Sequence, residues 1–219
     1  MAVSAVRITT TSGGVTVAAE ADLRDVVVDG VPVQLDDSTA TIESSSTRLD
    51  VRVPVGVGLV IGTTSGRVVV RGRVGPVAVV SNSGRVEIDD AETVDVRARS
   101  GRVRIGRSRG ETRVISRSGR VEIGHCGPAD VAATSGRIVL RDAAGPARVH
   151  CASGRIEITM AEADDVHAET VSGRISVSLP PGTRAHRTTR PSDPVAAPGE
   201  YDCVVTARSG SGRIDVSTR

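Results

Sequence analysis

Aliphatic and polar residues alternate along most of this chain, and the alternation restarts at every Ser-Gly-Arg tripeptide. The tripeptide first appears at Ser65, and its successive serines are then 18, 17, 18, 17, 18, 19 and 39 residues apart. Valine, isoleucine or leucine stands three and five residues after each serine, as at Val121 and Ile123. β-Branched residues at a period of two predict a short strand with one buried face.

A second set of inward-facing positions precedes each tripeptide. It lies six, four and two residues before the serine, as at Thr112, Val114 and Ser116, and the last of the three residues is always small. Each repeat therefore predicts two strands. The glycine of the tripeptide is placed at the bend between them, because glycine adopts positive φ and allows close approach of another backbone.

Two strands in every 17 or 18 residues are typical of a coil that stacks on the next coil. Parallel stacking in register places each residue over its equivalent, about 4.8 Å away. An antiparallel meander of the same period would instead alternate the two strand types. Because like residues recur at like positions, the sequence favours an all-β, single-domain, parallel β-solenoid that resembles a β-helix.

The repeat divides this one continuous domain into three parts. Residues 1–58 keep alternating stretches without the strict repeat, and residues 59–179 contain the regular solenoid. Residues 180–219 begin with two prolines and end in the last tripeptide. Since an open stack exposes strand edges at both ends, the first and last parts are predicted to be irregular β caps.

Three stretches of the caps have individual interpretations. Ser12-Gly13-Gly14, followed by Val15 and Val17, is a degenerate copy of the repeat. The segment Val26–Leu35, interrupted by Gly30-Val31-Pro32, indicates a hairpin. Residues 182–200 are rich in proline, threonine and arginine, which indicates a loop. No helix is predicted anywhere.

Composition narrows the class of protein. The 219 residues carry a net charge of +2, which does not indicate a nucleic-acid binder, and no lysine occurs among the 28 basic residues. No signal peptide is visible, and no apolar run approaches the roughly 18 residues of a membrane span. Three cysteines, Cys126, Cys151 and Cys203, do not resemble a secreted disulfide framework. These features predict a cytoplasmic protein without direct membrane insertion.

The arginine of the tripeptide is the feature with the most chemical character. Stacked coils would align seven arginines along one edge: Arg67, Arg85, Arg102, Arg120, Arg137, Arg155 and Arg174. Glu87, Glu122 and Glu157 follow two residues after three of them and offset part of a mutual repulsion of about 1 kcal/mol per pair.

Two interpretations of this alignment stay open. One is a solvated face that results from an arginine-rich composition. The other is a docking strip for a protein or an acidic polymer, since the guanidinium fork fits carboxylate or phosphate. Specific nucleic-acid binding is not supported, because the chain has no Phe or Trp and one Tyr, too few for base stacking.

Motifs with catalytic or metal-binding letters have structural explanations. Gly106–Gly110 matches G-x-S-x-G, but a nucleophile elbow needs a helix after the strand. The pairs His125-Cys126 and His150-Cys151 have the letters of metal ligands. Cys126 is nine residues before the next repeat serine and Cys151 is two before it, which predicts that they lie at different corners of the coil. His167 and His186 add no ligand spacing. No catalytic residue, metal site or cofactor is predicted.

Short motifs also connect the chain to a known family. They are Val51–Val57, which contains Val-Pro-Val-Gly-Val, then Thr63-Thr64-Ser65-Gly66, the repeated Ser-Gly-x-Val/Ile-x-Ile/Val, and Leu179-Pro180. The chain resembles the bacterial β-strand-repeat proteins of the toast-rack superfamily, known as putative adhesins. The resemblance implies a β-solenoid-like fold and a binding or scaffolding role, with no catalytic residues to transfer. The family commonly places Asp after Ser-Gly, where this chain has Arg.

The sequence thus favours a non-enzymatic rigid scaffold or binding module with an unknown ligand. One alternative is a structural protein that self-associates end to end or laterally, which light scattering at several concentrations would detect. A remote alternative is a hydrolase with its site in a groove beside the arginines. That activity would require a buried pair of titrating groups.

Overall fold

The computed structural model describes residues 3–28, 31–36, 38–189, 193 and 200–219, which together form one sixteen-stranded sheet. No helix occurs among these described residues. The coils pair in parallel, and antiparallel pairing is confined to two short strands near the N-terminus. The predicted all-β parallel solenoid is therefore confirmed.

In chain order, the strands are β1 (Ala5–Thr10), β2 (Val15–Glu20), β3 (Val27–Val28), β4 (Val33–Asp36), β5 (Thr39–Ser44), β6 (Leu49–Pro54), β7 (Gly58–Val74), β8 (Val77–Ala91), β9 (Val94–Ser108), β10 (Thr112–Cys126), β11 (Ala129–Ala143), β12 (Ala147–Met160), β13 (Val166–Leu179), β14 (Ala185–Thr188), β15 (Cys203–Ser211) and β16 (Ile214–Thr218).

Strands β7–β13 form the regular stack, and each pairs in register with the next. Val121, for example, pairs with Val103 on one side and Ile138 on the other. Pairing continues through the tripeptide, where Gly119 lies between Gly101 and Gly136. The two strands predicted for each repeat are therefore two arms of one bent strand, which we call the first and second arms.

The core lies between the two arms. Every inward position predicted in β7–β13 is buried except Ala98, which is partly buried and still packs against the core. The second arm also buries a third residue, seven to nine positions after the serine, that the sequence analysis did not identify: Val74, Ala91, Ser108, Cys126, Ala143, Met160 and Leu179.

The glycine of the tripeptide is fixed by contact between successive coils. Gly119 has a φ of 125°, and a Cβ added there would lie 1.9 Å from the carbonyl oxygen of Gly101. A side chain is excluded both by the backbone conformation and by the neighbouring coil. The same contact recurs from Gly66 to Gly212, so one steric requirement explains the repeat of glycine.

At the N-terminal end, the spatial order of the coils differs from their order in the chain. Strands β1 and β2 form a coil that lies between β7 on one side and the β5–β6 coil on the other. The degenerate repeat Ser12-Gly13-Gly14 forms the corner of the β1–β2 coil and lies beside the corner of β7. The Ser65 amide donates to the Thr11 carbonyl at 2.9 Å, and a Cβ on Gly66 would meet the Gly13 oxygen. The chain therefore passes outward to β5 and β6 and then returns to begin the regular stack.

The predicted hairpin of Val26–Leu35 is wrong. Strand β3 pairs antiparallel with β6, and β4 pairs antiparallel with β5, so the two strands have different partners. The physical reason is that β5 and β6 are the two arms of the outermost coil, and each arm presents a free edge. Part of the predicted turn, Gly30, lies outside the described residues.

The C-terminal end repeats this non-sequential arrangement. Strands β15 and β16 pair with β13, and β14 pairs with β15 from outside. The predicted loop of residues 182–200 therefore contains a strand, because the free edge of β15 accepts Ala185–Thr188 as a parallel partner; residues 190–192 and 194–199 lie outside the described part of the chain. The three-part division of the domain remains a prediction.

Candidate functional site

The seven predicted arginines lie on seven consecutive coils at the same position of the second arm. Each is the direct pairing partner of the next, from Arg67 with Arg85 to Arg155 with Arg174. Their Cα atoms therefore follow the strand spacing of about 4.8 Å. We call this set the arginine ladder. It lies beside the glycine corner and faces outward, with Arg85 about as exposed as Arg120, at 41% and 39% of the side chain.

A second outward column lies two residues after the ladder: Val69, Glu87, Arg104, Glu122, Val139, Glu157 and Ser176. Its carboxylates pair with arginines of the ladder. Within one coil, Arg85 Nη1 is 3.4 Å from Glu87 Oε1, and Arg120 also forms an ion pair with Glu122. The ladder is thus neutralised where the second column supplies an acid.

One carboxylate connects two coils. Arg137 Nη2 donates to both Glu157 oxygens, at 2.9 and 2.7 Å, and Arg155 Nη1 lies 3.6 Å from Glu157 Oε1. Arg137 and Arg155 are direct pairing partners on β11 and β12. A single carboxylate can therefore occupy the space between two stacked guanidinium groups. The sequence analysis expected pairing on one outward face but did not identify this bridge.

Other arginines of the ladder keep their charge uncompensated. Arg67, Arg102 and Arg174 form no ion pair with any residue that the structure describes. Arg67, Arg85 and Arg102 line a shallow hollow of about 500 Å³, together with the Ser65 and Ser83 corners. With Arg104 of the second column, β7–β9 carry four arginines in these two columns against Glu87 and form the most positive part of the ladder, while Arg174 at the far end also lacks an acid.

Strand β9 carries most of the basic charge that the sequence analysis overlooked. Five arginines occur between Val94 and Ser108, against the single acid Asp95. Arg97 and Arg99, on the first arm, join Arg117 around a surface that also exposes Val80 and Ile115. A local count of arginine in the sequence indicates this density, whereas the repeat itself predicts one arginine per coil.

A long depression lies on the first arm beside the turns that connect successive coils. Its two parts, of about 570 and 630 Å³, meet at Glu111. The outward residues along it alternate in charge, from Asp95 to Arg113, Asp130 and Arg148. Opposite charges on successive coils offset each other, so this surface lacks the electrostatic preference of the arginine ladder.

The His-Cys pairs do not form metal sites. Cys126 and Cys151 are fully buried in different inward columns, and the neighbouring histidines face outward because alternate residues of a strand point to opposite faces. His125 Nδ1 lies 2.8 Å from Asp142 Oδ2. No group of three metal-binding side chains suited to an ion occurs among the described residues.

The candidate nucleophiles are also placed in the core. Ser108, the serine of the G-x-S-x-G match, is fully buried, and β10 rather than a helix follows it. Burial raises the pKa of the Cys126 thiol to about 11, with a smaller contribution from the charge of Asp142. Burial likewise raises the pKa of Cys151 and Cys203. These groups stay protonated at neutral pH and do not face solvent as nucleophiles.

The parallel coils and the arginine ladder define an all-β repeat protein, in which equivalent side chains of successive coils form ladders on the outer surface. The sequence of residues 2–217 matches the Toastrack DUF4097 family, and the chain belongs to this family. The family assignment made from the short motifs is therefore confirmed.

Two further comparisons give little beyond this assignment. No curated protein matches the chain. Among solved structures, a putative cell adhesion protein from Clostridium sporogenes is similar, with 7% sequence identity, a TM-score of 0.24, and coverage of 100% of this chain and 94% of that one. No helix of the described residues has the length and apolar character needed to cross a membrane.

Proposed function

We propose that this protein is a non-enzymatic scaffold or binding module that docks an anionic partner on its arginine ladder. The observation that carries the proposal is the in-register alignment of seven arginines, of which Arg67, Arg102 and Arg174 lack an ion pair with the described residues. A rigid sheet holds these groups at fixed spacing, so a ligand does not have to order the surface on which it binds.

Several features support a role without catalysis. Catalysis by acids, bases or nucleophiles needs such groups close together at an accessible site. Here Ser108 and the three cysteines are buried, and His125, His150 and His167 lie at the surface beside carboxylates. A hydrolase would need a pair of groups with displaced pKa values at one cleft, and the displaced cysteines lie in the core instead.

The proposal is tested by removing three positive charges from the ladder and, in a control of equal net charge, three from elsewhere on the surface. Changing Arg102, Arg120 and Arg137 together to Gln should abolish retention on immobilised polyglutamate or heparin while leaving the fold intact. The matched control changes Arg71, Arg107 and Arg141 to Gln, three exposed arginines away from the corner. Wild-type binding should also weaken steeply with salt, because screening shortens to about 8 Å at physiological ionic strength.

The comparison of the two triple variants decides the result. Loss of retention in the ladder variant alone supports docking on the ladder. Equal retention of both variants would mean that the immobilised polymers respond only to the net charge of the protein. The ladder would then be a solvated face produced by an arginine-rich composition.

Self-association is the second candidate, and a specific edge favours it. Strand β16 has β13 as its only sheet partner among the described residues, and its Ile214 and Val216 are only partly buried. An open edge of this kind is a template for pairing with another chain. Light scattering over a range of concentrations measures it: a mass that stays at 22.6 kDa would exclude assembly through this edge.

A cytoplasmic location is part of the proposal. Cys126, Cys151 and Cys203 are all free thiols, which fits a reducing compartment. Fractionation of the source cells, with an antibody against the protein, measures its location directly, and recovery in the extracellular or envelope fraction would contradict it.

A further inference from the structure

The first three arginines of the ladder, which we call its first half, differ from the next three, its second half, in the residues of the second outward column; Arg174, with Ser176 beside it, follows them. Beside Arg120, Arg137 and Arg155, this column supplies two carboxylates, Glu122 and Glu157. Beside the first three arginines of the ladder, it supplies one carboxylate, Glu87, and one further arginine, Arg104. The first half is therefore strongly positive, and the second is nearly neutralised.

The neutralised half shows how a carboxylate is held on this edge. Glu157 belongs to the same coil as Arg155 and reaches back to Arg137 on the preceding coil. Its two oxygens accept from one guanidinium and lie beside the next. Charge-assisted contacts of this geometry are among the stronger hydrogen bonds in proteins.

The equivalent place in the positive half has no carboxylate that bridges two coils, and Glu87 contacts Arg85 only within their own coil, at 3.4 Å. Arg85 and Arg102 are direct partners on β8 and β9, just as Arg137 and Arg155 are on β11 and β12. The position equivalent to Glu157 is residue 104, which is arginine and lies between Glu87 and Glu122 in the strand register. The hollow lined by Arg67, Arg85 and Arg102 lies along the Ser-Gly-Arg corners of β7–β9, so it includes both guanidinium groups of this pair.

We propose that this hollow binds the carboxylates of an acidic polypeptide segment, with one carboxylate between Arg85 and Arg102 as Glu157 lies between Arg137 and Arg155. This inference rests on the proposed docking function and gives it a place and a ligand class. A polypeptide is favoured because the chain's own glutamate already fits the equivalent position. Nucleic acid is disfavoured, since no Phe or Trp is available to stack on bases.

The structure provides a substitution that fills the site from within. Arg104→Glu places a carboxylate at the position equivalent to Glu157, so it should pair with Arg85 and Arg102 and weaken binding of a fluorescent oligoglutamate peptide about tenfold or more. The matched control is Arg107→Glu, an exposed arginine on the same arm with the same change in charge. It should weaken binding only about twofold.

A second substitution should create a site instead of closing one. Glu157→Gln removes the carboxylate that bridges Arg137 and Arg155, so these two arginines become available to the peptide. Binding should become tighter or gain a second equivalent of peptide in titration calorimetry. Circular dichroism and melting curves confirm that all three variants keep the fold.

The possible outcomes separate this inference from the broader function. Equal weakening by Arg104→Glu and Arg107→Glu would reduce the effect to bulk charge and overturn the site. Failure of oligoglutamate to bind, while a phosphate polymer binds and is lost in the ladder triple variant, would overturn the ligand class and leave the docking function standing. If neither polymer binds the wild-type protein at low salt, the docking function itself fails.

Discussion

The regular stack and the two ends of this molecule use the same strand pairing in different ways. In β7–β13, chain order equals spatial order, and each coil rests on the one before it. At both ends, an inner coil is covered by strands that are not its sequence neighbours in the stack: β5 and β6, which follow β1 and β2 in the chain, lie outside them, and β14, which precedes β15, lies outside it. Strands β1, β2 and β5 are thus paired on both sides along much of their length, whereas β16 keeps one edge open among the described residues.

This difference shows which features determine stacking. Within the stack, inward aliphatic columns and the glycine corner make every coil a good partner for its neighbour. At the ends, neighbouring coils come from distant parts of the chain, so pairing compatibility and not chain order selects the partner. Burying terminal coils inside the sheet also shortens the free strand edges that would promote aggregation.

The largest expected effect comes from a charge placed inside the stack. Val121→Asp buries a carboxylate among aliphatic residues without a partner and should lower the free energy of unfolding by more than about 4 kcal/mol. Val216→Asp, in the partly buried end strand β16, should cost far less. Urea denaturation of both variants measures the difference.

An outward control completes this test. Glu122→Lys changes the neighbouring residue of Val121 on the opposite face, where the ion pair with Arg120 is lost and a cation is added beside Arg104. It should lower stability by about 1 kcal/mol, far less than Val121→Asp. Equal losses for Val121→Asp and Glu122→Lys would contradict the assignment of inward and outward faces.

The alternation of residues was sufficient to predict the stack. Equivalent residues such as Val103, Val121 and Ile138 recur at one position of the repeat, and parallel register follows because only that arrangement places them together. The third inward column was missed because its members range from Ala91 to Met160 in size. In β8–β11 it also lies three residues after the preceding inward residue, as Cys126 does after Ile123, which breaks the period of two.

The ends and the positive half of the ladder could not be predicted in the same way. The local pattern around Ser12-Gly13 does not predict which coil it contacts. Strands β1 and β2 pair on one side with β5 and β6 and on the other with β7, all of which come later in the chain. The bridge from Glu157 to Arg137 likewise depends on a contact between coils, which the repeat indicates only when the register is known.

The glycine corner gives the second test of the comparison. Gly119→Ala adds a Cβ 1.9 Å from the Gly101 oxygen at a φ of 125°, so it should destabilise the protein by about 2–4 kcal/mol. Gly182→Ala, beyond the stack, also has positive φ, at 77°, but its Cβ would meet no atom within 4 Å. It should cost about 1 kcal/mol, from backbone strain alone. Similar losses in thermal unfolding would show that backbone conformation, and not contact between coils, requires the glycine.

A smaller effect is expected from alkaline pH. Burial raises the pKa of Cys126 from its ordinary value of 9.0 to about 11. Between these values, the unfolded chain loses the thiol proton while the folded chain keeps it. Stability is therefore unaffected below about pH 9 and falls as pH rises to about 11, by on the order of 2–3 kcal/mol. The absence of lysine leaves few other groups that titrate in this range.

Cys126→Ala provides the control for the alkaline effect. The variant should be less stable at neutral pH, because it leaves a small cavity, but should lose most of the decline between pH 9 and pH 11. Denaturation at a series of pH values measures both quantities. A decline of the same size in the variant would assign it to another buried thiol, Cys151 or Cys203.

The measurement that tests the central claim most directly is a distance along the arginine ladder. Nitroxide labels at Arg67→Cys and Arg174→Cys, in a chain whose native cysteines are replaced, are six coils apart in the stack. Parallel coils, at about 4.8 Å per coil, predict a mean label separation of about 29 Å, measured by double electron–electron resonance. A meander that placed both arms of each repeat in one flat sheet would give about 58 Å, and that value would contradict the solenoid.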